Sequence, residues 1–194
     1  HTVVTLAFSM TAVLIVPFIS VYTKGINDVN YSVPIFAYII TSAYAIYCIR
    51  VPYNTIVLAA GHFKQTQNGA FISAGLNIVL TIALVSKLGL VGAACGTLVA
   101  MFYHTVYFAW YLRKNILNRS FKYFLEYMAT DALIAVVSAL LTKNIFLGSE
   151  TYLSWFVMAI KVFAVVLVVL FVVNVVFYRQ HVKRALGILR KFKK

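Results

Sequence analysis

Three ionisable side chains other than histidine stand well inside apolar stretches of this sequence: Arg50, Asp131 and Lys161. A charge at the centre of a bilayer costs about 3 kcal/mol on insertion scales, so each calls for a physical reason. Arg50 is the most informative. Pro52 follows it by two residues and Asn54 by four. Proline removes the hydrogen bond to the Cys48 carbonyl and crowds it, so a kink is expected at Pro52. Arg50 and Asn54, four apart, share one helix face. A helix presenting Arg and Asn at mid-depth suits the wall of a hydrated cavity that binds an anion. The competing reading is a structural Arg satisfied by freed carbonyls or by an Asp on another helix. The cavity reading is preferred, because intramembrane charges usually mark pathways.

The other polar positions carry less chemistry. Asp131 and Lys161 lie on successive apolar segments at depths that overlap enough for a charge pair, and the long stem of Lys161 would also let it snorkel. Packing or pairing explains both as well as a cavity or coupling role does. Ser73, Asn77 and Thr81 recur every four residues, as interhelical hydrogen-bond glue or as a cavity stripe. His104 stands between Tyr103 and Tyr107. A buried, hydrogen-bonded imidazole is the plainer reading, and proton coupling the sharper one. Catalytic signals are missing: the sequence has no acidic pair, metal-ligand cluster or phosphate-binding glycine loop. No cofactor, metal or enzymatic activity is expected.

The elements that must position these residues are membrane helices. Of 194 residues, 63% are hydrophobic and 11% charged, far from the composition of a soluble domain. The apolar blocks are long enough for a hydrocarbon core of about 30 Å. They lack the alternation of a β-barrel. Six spans are expected, at about 3–22 (A), 33–61 (B), 69–86 (C), 90–112 (D), 124–146 (E) and 152–178 (F). The connection His62–Asn68 is read as polar loop, and Gly89, Gly92, Gly96 and Ala100 as a small-residue seam that lets C and D approach closely. Cys48 and Cys95 sit inside spans and suggest no disulfide. His1 leads straight into span A with no basic region before it. The chain therefore reads as a fragment lacking its N-terminal part.

The net charge of +13 is explained by topology, and nucleic-acid binding is an unneeded reading. Twelve of the seventeen Lys and Arg residues fall in connections B–C and D–E and in the tail 179–194, against three in the opposite turns. The positive-inside rule puts the C-terminus in the cytoplasm. In the tail, Val182, Leu186, Leu189 and Phe192 recur at helical spacing among basic residues. They read as an amphipathic helix on anionic lipid, or as a merely solvated tail.

The stretch from Arg50 to Asn115 resembles the C-terminal region of bacterial polysaccharide and O-antigen flippases of the multidrug/oligosaccharidyl-lipid/polysaccharide exporter superfamily. The residues concerned are Arg50–Val51–Pro52, then Gly61–His62–Phe63–Lys64–Gln65–Thr66–Gln67 after Ala60, then Asn77, then Gly89, Gly92, Gly96 and Thr97. Together they cover about a third of the chain. The resemblance implies an all-α, two-lobed MATE-like transporter. Residues 1–112 would supply four helices of its second lobe, 113–178 two additional helices and 179–194 a cytoplasmic tail. The implied activity is translocation of an undecaprenyl-diphosphate-linked oligosaccharide across the bacterial inner membrane by alternating access. Arg50, Asn54, Asn77 and Lys161 are the candidate cavity residues, and Asp131 and His104 the candidate pairing or coupling groups. The implied partners are the bilayer, the lipid-linked substrate and the missing N-terminal lobe. A multidrug or small-molecule exporter of the same superfamily is the alternative. A membrane polysaccharide polymerase or ligase would need a long outer loop, and the outer turns here have only about nine, three and five residues.

Overall fold

The computed structural model describes residues 1–26, 31–117 and 120–178. Among these residues the chain forms six long helices and no strand. They are α1 (Thr2–Tyr22), α2 (Pro34–Ala59), α3 (Phe63–Leu88), α4 (Leu90–Leu112), α5 (Lys122–Thr142) and α6 (Tyr152–Phe177). The shortest has 21 residues, or about 31 Å at 1.5 Å per residue. Each is long and apolar enough to cross a bilayer. The basic tail expected to lie on lipid falls outside the described residues.

The helix ends follow local chemistry. Pro34 opens α2 at its first turn, where its missing N–H leaves no bond unmade. Gly61 (φ +74°) and Gly89 (φ +55°) make the turns into α3 and α4 in left-handed backbone that disfavours other residues. The Thr151 hydroxyl accepts the Ser154 N–H and caps α6. Pro17 and Pro52 lie inside α1 and α2, and the helical residues run unbroken past both.

Three boundaries differ from expectation. The expected loop His62–Asn68 is mostly helix, because α3 begins at Phe63. Hydropathy marks where side chains stop being apolar, and Lys64, Gln65 and Gln67 are good helix formers in spite of their polarity. Helix α4 continues into a π-helical turn, Arg113–Leu117, which takes up half of the expected basic loop. Helix α5 ends at Thr142, four residues early. Ile145 and Leu147 are apolar because they pack against the core between α1 and α6 from the turn that follows.

The packing divides into two groups. Helix α4 lies against both α2 and α3, which barely touch each other; α1 packs on α5 and α6 and is joined to α2. In the first group Val57, Phe108, Tyr111 and Leu112 form a buried cluster, and the Tyr111 hydroxyl meets His62 Nδ1 at 2.8 Å. In the second, Leu14 packs on Met158, Val162 and Val166, and Trp155 Nε1 donates to the Leu14 carbonyl at 3.2 Å. The exterior is the reverse of a soluble protein: Phe71, Ile82 and Leu153 are at least 65% exposed, as a lipid-facing surface requires.

The α3–α4 seam is the tightest contact. A methyl group on Gly92 would strike the backbone of Leu84 and Val85, and one on Gly96 would meet Thr81. The buried Ser73 hydroxyl donates across the seam to the Ala100 carbonyl at 3.0 Å. Replacing Gly92 by valine should therefore cost about 1–3 kcal/mol through overpacking. The same change at Gly75, where the space is open, should be tolerated. Thermal unfolding of the two purified variants in one detergent tests this: the midpoint should fall by several degrees for Gly92→Val only.

Candidate functional site

Because α2 and α3 both lean on α4 without closing on each other, a cavity of about 500 Å³ remains between the three. Helix α2 contributes Arg50, Asn54 and Leu58, three residues spaced by four along one face. Helix α3 contributes Lys64, Thr66, Gln67 and Ala70 from its first two turns, and α4 contributes His104 and Phe108. Arg50 stands nine residues before the end of α2, about 13 Å along the axis. Lys64 is the second residue of α3. The two cations thus mark two levels of one cavity, the deep one half-buried and the outer one exposed.

The guanidinium of Arg50 lies 4.9 Å from the centre of the Tyr47 ring. This contact steadies the charge by the ring quadrupole and leaves the N–H groups available. Its Nη1 is buried with no hydrogen-bond partner, and so is Nε2 of His104. The His104 ring leans on Phe108 with centroids 4.9 Å apart, which fixes its orientation. A buried polar group left unsatisfied costs about 1–3 kcal/mol, yet both of these line the same cavity. Among the described residues no carboxylate lines it. Two cations, two amides and an imidazole line this space, and such side chains can donate to an anion with several acceptor oxygens.

The sequence-derived candidates separate in space. Arg50, Asn54 and His104 come together in this cavity, and Asn77 and Lys161 do not line it. Asn77 accepts a hydrogen bond from the Thr81 hydroxyl at 3.2 Å, on the stripe whose Ser73 bonds α4. Ser73 thus acts as interhelical glue, while the Asn77–Thr81 bond stays within α3. Lys161 is exposed on α6, beside the buried Met158 and Val162. Asp131 faces α1 instead of α6: its carboxylate accepts from the Thr5 hydroxyl at 2.7 Å and contacts His1 Nδ1 at 2.6 Å. The expected Asp131–Lys161 pair is therefore absent among the described residues, because α5 and α6 turn these two side chains to different neighbours. Lys64 and Gln67 are cavity residues that hydropathy hid in a presumed loop. Their signal was the helical spacing of Phe63, Gln67 and Ala70.

Comparison of the chain with protein-family models, with curated proteins and with solved structures finds no match. The site's own chemistry carries its interpretation.

If the cavity is hydrated, its wall is open to polar reagents. In a cysteine-free background, Asn54→Cys should react with a membrane-impermeant maleimide at least tenfold faster than Val57→Cys, whose position is fully buried. Equal rates for the two would exclude a hydrated cavity.

Proposed function

We propose that the chain forms part of a transporter that carries an undecaprenyl-diphosphate-linked oligosaccharide across the bacterial inner membrane by alternating access. The observation that carries this reading is the buried Nη1 of Arg50, without a hydrogen-bond partner, in a cavity that holds a second cation and, among the described residues, no carboxylate. A diphosphate presents several oxygens that a guanidinium fork can meet at two points. About 500 Å³ is within the range of small-molecule pockets and suits a diphosphate with its first sugar. The polyprenyl chain would remain in the lipid between α2 and α3, where the helices part.

The basic connections and the resemblance over Arg50–Asn115 orient the proposal. With the α2–α3 turn on the cytoplasmic side, Lys64 meets the headgroup first at the membrane surface and Arg50 draws it inward. His104 Nε2 offers a further contact beside Arg50. Neutralising the diphosphate step by step lowers the cost of bringing it to mid-depth, where an isolated charge is most unfavourable. A small-molecule exporter of the same superfamily would place no such demand on the anion-binding geometry.

The test is Arg50→Ala and Arg50→Lys in the full-length protein. A charge-assisted hydrogen bond contributes about 1.5–3 kcal/mol, so the alanine variant should translocate lipid-linked oligosaccharide about tenfold to a hundredfold more slowly. Membrane abundance should be normal. Lysine should restore only part of the rate, since it keeps the charge without the fork. Undiminished surface polysaccharide in the alanine variant would sink the proposal, and loss of drug efflux alone would transfer it to the small-molecule class.

A further inference from the structure

A second polar zone lies away from the cationic cavity, in a groove of about 220 Å³ between α1, α2 and α5. Most of its wall is apolar, but five oxygen-bearing side chains from three helices line it: Thr5 and Ser9 from α1, Thr41 and Ser42 from α2 and Asp131 from α5, of which Ser42 already donates to the Tyr38 carbonyl. Thr5 and Ser9 are one turn apart on one face. Ser9 is only 3% exposed, and its Oγ has no hydrogen-bond partner. This hydroxyl stands one turn from the Thr5 hydroxyl that bonds the Asp131 carboxylate, with an oxygen free to meet a ligand. Thr41 is also buried.

We propose that this groove binds a monovalent alkali cation, with Asp131 as the charged ligand and the hydroxyls of Thr5, Ser9 and Thr41 as neutral ones. Carboxylate and hydroxyl oxygens are hard donors and select a hard cation. One carboxylate balances one positive charge. Among the described residues no cluster of three His, Cys, Asp or Glu side chains exists that would favour a transition metal or a divalent ion. The Thr5 hydroxyl donates its proton to Asp131 and still presents its lone pairs to the groove. His1, which now contacts the carboxylate, is a quarter exposed, so an arriving cation displaces an accessible imidazole and leaves the core in place. The cation would neutralise a carboxylate that stands ten residues into α5, where an uncompensated charge is costly. This site is independent of the cargo proposed for the other cavity.

The experiment is thermal unfolding of the full-length protein in lipid nanodiscs, in sodium or potassium chloride against choline chloride at equal ionic strength. The unfolding midpoint should rise saturably with sodium or potassium and stay flat in choline, as mass action requires of a ligand that binds the folded state. Asp131→Asn should abolish the alkali-dependent rise. Ser9→Ala should keep the midpoint seen in choline and need several-fold more alkali cation for the same rise, which keeps the test decisive if the Asp131 variant folds poorly. Arg50→Ala should retain the full rise, so that this site and the anion cavity fail separately. No alkali-specific rise in the unaltered protein, or an equal rise in Asp131→Asn, overturns the proposal. Proton uptake at Asp131 without any alkali effect overturns it equally.

Discussion

The structure depends on how closely α4 can approach its two neighbours. Within lipid no hydrophobic force drives helices together, so surface shape and hydrogen bonds decide their spacing. On one side, Gly92 and Gly96 admit the backbone of α3, and Ser73 locks the seam by donating to Ala100. On the other, the fully buried Thr105 donates to the Met101 carbonyl and reaches the Ile46 carbonyl of α2 at 3.3 Å. With α4 held on both flanks, α2 and α3 are splayed, and His104 and Phe108 become the floor of the gap. The cavity is thus a consequence of small residues several turns away from it. Larger side chains at the seam would move α3 outward and take Lys64 and Gln67 with it.

The polar groups sort into two zones of opposite character, with α2 as their common wall. Its Arg50 and Asn54 face the cationic cavity, while Thr41, Ile46 and Ile49 face the groove that holds Asp131. Among the described residues, the buried side-chain atoms without a partner include Arg50 Nη1 and His104 Nε2 in the first zone and Ser9 Oγ in the second, with Ser138 Oγ of α5 in neither. Such orphans are rare because each is costly, and three of these four lie beside the two cavities. Because α2 lines both, a shift of α2 would alter the geometry of both zones at once.

How much of this was legible in the sequence depends on which interaction decides each position. Span positions follow from side-chain hydropathy alone, and those of α1, α2, α4 and α6 agree with the structure within a few residues. The start of α3 was hidden because a helix emerging from lipid keeps its hydrogen bonds while its side chains turn polar, as at Lys64 and Gln67. Arg50 and Asn54 were readable as neighbours because helical spacing is a local property. The partners of Asp131 were not. Its distance in sequence from Thr5 is large, and only the docking of α1 on α5 decides that its carboxylate meets hydroxyls instead of Lys161. Asn77 lies outside the cationic cavity for a related reason: one polar stripe can face either water or a neighbouring helix, and its Ser73 and Thr81 meet α4 at Ala100 and Gly96.

Arg50 can settle at its depth in three ways: by snorkelling, by pairing with a carboxylate, or by facing a polar space. Its position about 13 Å from the end of α2, with the guanidinium held over Tyr47, argues against an escape to the interface. Among the described residues pairing is closed as well, since Asp131 is engaged on α1 and neither Glu126 nor Glu150 lines the cavity. The third way remains, and it has a consequence. A guanidinium that lies over an aromatic ring and keeps a buried N–H unfilled would meet the proposed anion without first breaking an ion pair. The reorganisation that usually weakens anion capture by a buried arginine is therefore small here. The affinity of the cavity should be set mainly by how completely the anion sheds its own water.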